Sequence, residues 1–229
     1  MKVRNTISII TCAAVLLSGC ASMSKTGKGA LIGAGAGAAV GAGVGALVGK
    51  DAKSAAIGAA IGGTVGAGAG ALIGKKMDKK AKELAALENA AVETITDNNG
   101  LAAIKVTFAS GILFPKNGTS LSESSKSELK KFATAMKDMT DTDITIYGHT
   151  DNTGTAAVNE KISGQRADAV ADYLKSCGIT KDRMRTEGKS FNMPIADNST
   201  ETGRAANRRV EIYISADENM IKAAENGTL

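Results

Sequence analysis

The clearest alternation of apolar and polar positions lies near the C-terminus, in the run ANRRVEIYIS. Val210, Ile212 and Ile214 occupy every second position, with polar or aromatic residues between them. This period of two predicts a strand that is buried on one face. Three earlier runs, LAAIKVTF, DITIYG and RMRTEG, predict further strands.

Two segments between these strands have helical spacing. A helix is expected over residues 122–139, because its apolar positions lie three and four apart, at Leu129, Phe132 and Met136. The run SGQRADAVADYLKSCG predicts a second helix, with Ser163 as its N-cap and Gly178 as its C-terminal cap. The resulting order, β-α-β-α-β-β, predicts an α+β sandwich over residues 101–216, with one small sheet and helices on one face.

Upstream of this domain, glycine recurs at every fourth position. It occupies positions 29, 33, 37, 41, 45 and 49, and resumes at 58, 62, 66, 70 and 74. A period of four places these glycines on one helical stripe, the small-xxx-small pattern of packed membrane helices. The first segment would extend about 31 Å as a helix, close to the thickness of a hydrocarbon core. Lys50, Asp51 and Lys53 separate the segments, so we expect a glycine-zipper helical hairpin over residues 29–74.

The glycine pattern is consistent with a hairpin in a membrane and with a hairpin in water. Glycine costs about 1 kcal/mol per residue relative to alanine in a helix, so such helices need each other, lipid or further copies of the chain. Association into a homo-oligomer through the ladder is expected in either environment. A phosphate-binding loop is excluded, because Val44 and Ala69 stand where that motif needs glycine.

Residues 75–100 predict a basic helical spacer. The first eight, KKMDKKAK, contain five lysines, which suits contact with anionic headgroups. The remainder favours a helix that ends in a turn at Asn98-Asn99-Gly100. A C-terminal tail, residues 217–229, follows the domain.

The N-terminus is typical of an exported chain. Lys2 and Arg4 precede an apolar run that is shorter than the ~20 residues of a spanning helix, so residues 1–19 are interpreted as a signal peptide. The sequence Leu17-Ser18-Gly19-Cys20 resembles the bacterial lipobox. This resemblance implies that Cys20 is lipidated and begins a lipid-anchored N-terminus, residues 20–28. Ala21, rather than aspartate, after the cysteine implies sorting to the outer membrane.

Charge and composition argue against nucleic acid as a partner. The net charge falls from +5 to +3 once Lys2 and Arg4 leave with the signal, and the chain has no Trp, four Phe and three Tyr for stacking. Cys177 is then the remaining cysteine outside the lipid anchor. It follows the helical stripe of Ala167, Val170 and Leu174, so we expect a buried small hydrophobe rather than a disulfide or a nucleophile.

Four motifs in order carry a resemblance to a known family. They are GHTDNTG; Asn159, Ser163, Arg166 and Ala167 in the pattern N-x-x-x-S-x-x-RA; the P-x-A-x-N run from Pro194; and GRAANRRVEI. Together they resemble the OmpA-like peptidoglycan-binding domain over residues 101–216. The segment ASGILFPKNGTSL also resembles the first part of that family, except that Pro115 stands where many relatives carry an acidic residue.

The resemblance implies a pocket for the side-chain end of diaminopimelate, which carries an ammonium and a carboxylate on one carbon. Asp151 would bind the ammonium, and Arg166 would bind the carboxylate in a bidentate manner. With Ser163 as N-cap, Arg166 would be the third helical residue, beside free backbone N–H groups. The further contacts implied by the family are Asn159, Asn117, Arg209 and Thr150.

Two alternatives concern the charges of this site. From spacing alone, Asp151 and Arg166 could equally form a structural salt bridge. The alternation of the last strand also directs Arg208 toward the core, as a buried charge, and Arg209 toward the polar side.

The sequence offers no catalytic, metal or cofactor motif. His149 is the single histidine, and no nucleophile or Cys/His cluster accompanies it in a recognisable pattern. We expect His149 to pack or to hydrogen-bond at a strand end near the pocket. The predicted protein is not an enzyme, and no cofactor is predicted.

Two functions are consistent with these features. In the first, an outer-membrane lipoprotein, anchored by acylated Cys20 with its C-terminal domain in the periplasm, attaches the membrane to peptidoglycan without a covalent bond. In the second, the glycine ladder assembles a membrane oligomer or pore that wall binding merely localises. Detergent-resistant oligomers and membrane leakage distinguish them, because a plain tether gives neither.

Overall fold

The computed structural model describes residues 66–115 and 118–229. The expected signal peptide, the lipid anchor at Cys20 and the glycine ladder up to residue 65 lie outside the described residues. Asn117, one of the expected ligand contacts, also lies outside them.

The described part is built on one five-stranded sheet. Its strands are β1 (Ala91–Thr96), β2 (Ala102–Ala109), β3 (Thr142–Gly148), β4 (Met184–Gly188) and β5 (Arg209–Ala216). Their order across the sheet is β1-β2-β5-β3-β4. Only the β3–β4 pair is parallel; the other three pairs are antiparallel. The four strands expected from the sequence are confirmed as β2 to β5, whereas β1 was not predicted.

Six α-helices and one 3₁₀ turn complete the described chain. The helices are α1 (Ala67–Leu84), α2 (Ser110–Leu113), α3 (Glu123–Ala135), α4 (Ala156–Ser176), α5 (Glu201–Asn207) and α6 (Glu218–Glu225), and the 3₁₀ turn is Lys181–Arg183. The expected α+β class is confirmed. Gly178 follows α4 with φ +101°, the left-handed conformation that ends a helix.

The core lies between one face of the sheet and the helices. The strand register aligns Ile104, Ile214 and Ile144 across three strands, and all three are fully buried. Leu129 and Phe132 of α3 are equally buried in the same hydrophobic cluster. The apolar side of β5 is therefore the core side, as its alternation predicts. Cys177 is half-buried and packs against this cluster.

Helix α4 begins two turns earlier than the sequence suggested. Its N-cap is Thr155, whose hydroxyl accepts from the backbone N–H of Val158, so the expectation of Ser163 as N-cap is wrong. Ser163 is a buried residue inside the helix, and its hydroxyl accepts from the N–H of Ser190. A Cβ at Gly148 would lie 2.0 Å from the carbonyl oxygen of Ser163, so glycine at that position lets β3 and α4 approach closely.

The expected helical spacer is wrong for its second half. Helix α1 ends at Leu84, and residues 91–96 form a strand that pairs antiparallel with β2. The AVETIT sequence of this strand contains four β-branched residues, which favour a sheet. The expected turn before β2 is confirmed, because Gly100 has φ +76° and Asp97 accepts from the N–H groups of Asn99 and Leu101.

Helix α1 is part of the packed domain. Ile73, Met77 and Leu84 are fully buried in the common core. Lys76 pairs with Asp141 at 2.6 Å. The expectation that this basic segment lies against headgroups therefore does not hold for Lys76, whose charge is already paired within the domain.

Lys80 is bound to the domain even more tightly. It is 4% exposed, pairs with Asp138 at 2.6 Å and donates to the carbonyl oxygen of Ala135. Burial lowers the pKa of Lys80, but its hydrogen bonds to the carboxylates of Asp138 and Glu83 outweigh this effect, and the pKa is raised. Its charge is likewise satisfied within the fold.

The tail also belongs to the packed unit. Helix α6 buries Met220, Ile221 and Ala224 and contacts α1. The packed core therefore extends beyond residues 101–216 on both sides. Within residues 66–115 and 118–229, no helix combines the length and apolar character that crossing a membrane requires.

Candidate functional site

One cavity of about 880 Å³ opens at the edge of the sheet where β2 and β3 end and β5 begins. Its walls come from α2, from the loop after β3, from α4 and from α5. Four of the expected ligand contacts line it, together with three charged residues of α5 and its C-cap: Thr150, Asp151, Asn159, Arg166, Glu201, Arg204 and Arg208. The cavity thus brings together the loop and the helix that the sequence motifs indicated.

Asp151 is the buried anion of this cavity. One carboxylate oxygen accepts from the backbone N–H of Thr153 at 2.8 Å, and the other accepts from Nη1 of Arg208 at 2.5 Å. Burial raises the pKa of the carboxyl, but the hydrogen bonds from Arg208 and Thr153 outweigh it, and the pKa falls below its ordinary value. Asp151 is therefore ionised at neutral pH.

Arg208 is the cation that sequence reasoning misplaced. It caps the C-terminus of α5, before β5 begins, so the strand alternation does not apply to it. Its side chain is about one third exposed, and its second terminal nitrogen binds Glu201 at 2.8 Å. The expected buried position is wrong, and Arg208 instead bridges two carboxylates at the cavity.

Arg209 takes the buried position. It is 2% exposed, pairs with Glu211 at 2.7 Å and donates to the carbonyl oxygens of Asn207 and Met193. Its guanidinium does not line the cavity. The expected ligand contact from Arg209 is thus not supported by its position.

Arg166 lies at the floor of the cavity. It is 6% exposed, its Nε donates to the carbonyl oxygen of Gly118 at 3.2 Å, and its guanidinium carbon lies 5.3 Å from the centre of the Phe114 ring. Among residues 66–115 and 118–229, no carboxylate forms an ion pair with it. The pKa of Arg166 is lowered by burial and by the neighbouring charge of Arg208, while Asp151 opposes that shift.

The helix terminus does not contribute as expected. Arg166 lies nearly three turns into α4, rather than at its third residue. Free backbone N–H groups occur only in the first turn, so a carboxylate held by Arg166 would receive no help from them. The guanidinium itself has to supply the hydrogen bonds.

The remaining expected contacts have structural partners. Asn159 donates through Nδ2 to the carbonyl oxygen of Thr153 at 2.9 Å, which fixes the loop before α4. The backbone N–H of Thr150 donates to Ser190, while its buried hydroxyl has no hydrogen-bond partner among the described residues. Both residues line the cavity.

His149 belongs to a buried cluster and does not itself line the cavity, although the next residue, Thr150, does. Its Nε2 lies 3.3 Å from a carboxylate oxygen of Glu211, without hydrogen-bond geometry, and the side chain is fully buried. Burial lowers the pKa of His149, so the ring is neutral. The expectation that His149 packs at a strand end is confirmed. In the described part of the chain, no three His, Cys, Asp or Glu side chains cluster to hold a metal ion.

Comparison with protein families finds two matches in this chain. Residues 113–208 match the OmpA family, and residues 1–78 match the YMGG-like Gly-zipper family. The OmpA match covers α3, α4 and the whole loop that carries Asp151. The resemblance seen in the four motifs and the glycine ladder is confirmed.

Curated relatives resemble about half of the chain. The peptidoglycan-binding protein ArfA of Mycobacterium tuberculosis is 41% identical over 114 residues, 50% of this chain and 35% of ArfA. The probable lipoprotein YiaD of Escherichia coli is 37% identical over 112 residues, 49% of this chain and 51% of YiaD. The outer-membrane lipoprotein YfiB of Pseudomonas aeruginosa is 35% identical over 109 residues, 48% of this chain and 65% of YfiB. The chain thus spans about a third to two thirds of the length of these relatives.

Solved structures share the fold. The cell wall anchor of the type VI secretion system from Pseudomonas aeruginosa is 29% identical, with a TM-score of 0.52 over 62% of this chain and 97% of that chain. A putative MotB-like protein from Desulfovibrio vulgaris is 21% identical, with a TM-score of 0.54 over 65% of this chain and 92% of that chain. The second likeness concerns the fold only.

Proposed function

We propose that this chain, whose residues 113–208 match the OmpA family, binds peptidoglycan without a covalent bond and thereby attaches the outer membrane to the cell wall. The relatives named above include a peptidoglycan-binding protein and two lipoproteins. The role is binding rather than catalysis. Peptidoglycan is the partner of the C-terminal domain, and membrane lipid is the partner of the N-terminus.

The single observation that carries the proposal is the charge arrangement in the cavity. An ionised, buried Asp151 and a guanidinium at Arg166 that lacks an ion-pair partner among the described residues line the same space. A ligand group with one ammonium and one carboxylate complements this arrangement, because each charge would meet its opposite. The side-chain end of diaminopimelate is such a group.

Arg208 fits the same ligand. One terminal nitrogen of Arg208 already donates to Asp151, and the other donates to Glu201. The guanidinium can therefore stay in place when an ammonium approaches Asp151. The two arginines would then lie on either side of the ligand carboxylate. Bidentate donors of this kind bind a carboxylate more strongly than a lysine does.

The membrane side of the proposal rests on the N-terminal sequence. The lipobox-like Leu17-Ser18-Gly19-Cys20 would supply acyl chains at Cys20, and several chains on one residue anchor stably. The domain would then lie in the periplasm, within reach of the wall. Ala21 is consistent with an outer-membrane destination.

Cosedimentation with isolated sacculi tests the proposal. The full-length chain in detergent should pellet with sacculi, whereas Asp151→Asn and Arg166→Ala should stay largely in the supernatant. Asp168→Asn is the matched control, because Asp168 lies on α4 but bonds Thr186 outside the cavity. Equal pelleting of all four proteins would refute the assignment of this cavity.

The Gly-zipper match over residues 1–78 favours a second candidate, a membrane oligomer or pore that wall binding localises. In that case the lipidated chain forms detergent-resistant oligomers and releases dye from vesicles. A plain tether predicts neither result, so one gel and one leakage assay separate the two functions.

A further inference from the structure

A stripe of three side chains on α4 leads from the floor of the cavity to its mouth. Arg166, Ile162 and Val158 are spaced by four residues, so they lie on one helix face, and all three line the cavity. Their exposure rises along the stripe, from 6% for Arg166, through a half-buried Ile162, to 51% for Val158. The charged end of a ligand therefore belongs at the floor, and the rest of the ligand passes Val158 on its way out.

The cavity is larger than one amino-acid end requires. Its volume of about 880 Å³ lies in the upper part of the ~300–1,000 Å³ typical of pockets that enclose drug-sized ligands. Val158 is also one of three large, exposed apolar side chains among the described residues, and the other two, Met193 and Ile195, do not line this cavity. An exposed valine at the rim of a pocket that also contains charged side chains offers an apolar contact to whatever enters.

Distances along α4 indicate which part of a stem peptide reaches Val158. A rise of 1.5 Å per residue places Ile162 about 6 Å and Val158 about 12 Å from the level of Arg166. The four carbon–carbon bonds that join the two amino-acid carbons of diaminopimelate span only about 5 Å. Ile162 is therefore level with the methylene chain, whereas Val158 is level with the neighbouring residue of the peptide.

We infer that Val158 forms a subsite for the methyl group of the alanine that follows diaminopimelate in the stem peptide. This inference rests on the proposed function. The apolar rim makes a peptide ending in alanine the preferred ligand, because contact with Val158 removes the methyl group from water. The site thus recognises a dipeptide unit, the zwitterionic end at Arg166 and a small apolar side chain at Val158.

Two peptides that differ by one residue test the subsite. The probes are the tripeptide alanine–glutamate–diaminopimelate and the tetrapeptide that carries one further D-alanine, titrated calorimetrically into the full-length chain in detergent. Burial of one methyl group corresponds to roughly a fourfold gain in affinity, so the wild type should prefer the tetrapeptide by about that factor. Val158→Ser should abolish this preference, and Ile195→Ser, the matched control at an exposed isoleucine outside the cavity, should retain it.

The outcomes separate this inference from the function on which it rests. Equal affinity of the wild type for the two peptides, or an unchanged preference in Val158→Ser, would overturn the alanine subsite while leaving diaminopimelate binding intact. Binding of neither peptide by the wild type would overturn the proposed function itself, and the subsite with it.

Discussion

Arg208 donates to Asp151 at 2.5 Å, and in the same cavity Arg166 forms no ion pair with a carboxylate of the described residues. From spacing alone, Asp151 and Arg166 could equally have formed a structural salt bridge with each other. The observed pairing removes the structural salt bridge as an explanation for Arg166. A buried guanidinium without an anion is costly, and a ligand carboxylate would compensate it.

The pairing predicts how Asp151 responds to the loss of Arg208. In Arg208→Gln the pKa of the Asp151 carboxyl should rise. Burial raises this pKa, and the substitution removes the hydrogen bond from Arg208 that lowers it. A pH titration of the carboxyl carbon by NMR measures this shift. Arg204→Gln is the control, since Arg204 lines the cavity but pairs with Glu201 instead. An unchanged titration in Arg208→Gln would contradict the pairing.

The buried Glu211 predicts a loss of stability in acid. Burial favours its neutral form, but the His149 ring 3.3 Å away and the hydrogen bond from Arg209 prevail and lower the pKa of Glu211 to about 2. At pH values above about 4.3, the ordinary pKa of a glutamate carboxyl, this depressed pKa stabilises the fold by about 3 kcal/mol. The stabilisation is lost as the pH falls from there toward 2, because the folded carboxylate then becomes protonated.

Urea unfolding of wild type and Glu211→Gln at several pH values checks this. The difference between the two free energies of unfolding should be about 3 kcal/mol at neutral pH and should shrink steadily below about pH 4. A difference that does not vary with pH would mean that Glu211 is not the titrating group.

The packing of helix α1 predicts that the stability of the domain depends on residues outside the OmpA-family match. Met77 is fully buried in the common core, so Met77→Ala should lower the free energy of unfolding by about 2–5 kcal/mol. Lys75→Ala, at an exposed position of the same helix, should change it by less than about 0.5 kcal/mol. Equal stability of both variants would show that α1 is an independent spacer after all.

The close approach of β3 and α4 predicts a severe effect of one methyl group. Gly148→Ala would place a Cβ 2.0 Å from the carbonyl oxygen of Ser163, so α4 has to move away from β3, the strand that leads into the Asp151 loop. Both thermal stability and sacculus binding should fall. Gly164→Ala is the matched control, because no atom lies within 4 Å of its added Cβ and alanine favours a helix by about 1 kcal/mol.

The sequence predicted those parts of the fold whose pattern is local. Alternation at Val210, Ile212 and Ile214 identified β5 and its core face, and the glycine after α4 identified the end of that helix. Strand β1 was missed because AVETIT follows a lysine-rich helical segment, and its strand conformation depends on pairing with β2. A strand conformation that depends on pairing with a neighbouring strand leaves no periodic signal in the strand itself.

The sequence motifs indicated most residues of the candidate site, but not which arginine pairs with Asp151. The motifs identified the loop with Asp151 and the helix with Arg166. They did not reveal that Arg208, and not Arg209, reaches the cavity, because this depends on the residue at which α5 ends and β5 begins. A shift of one residue reverses the side to which a strand residue points.

Competition by small ligands tests the central claim most directly. With the full-length chain bound to sacculi, meso-diaminopimelate should release the protein, whereas Nα-acetyl-lysine amide, whose single charge is the side-chain ammonium, should not. That result would establish recognition of a zwitterionic end by Asp151 and Arg166. Release by neither compound, or equal release by both, would contradict it.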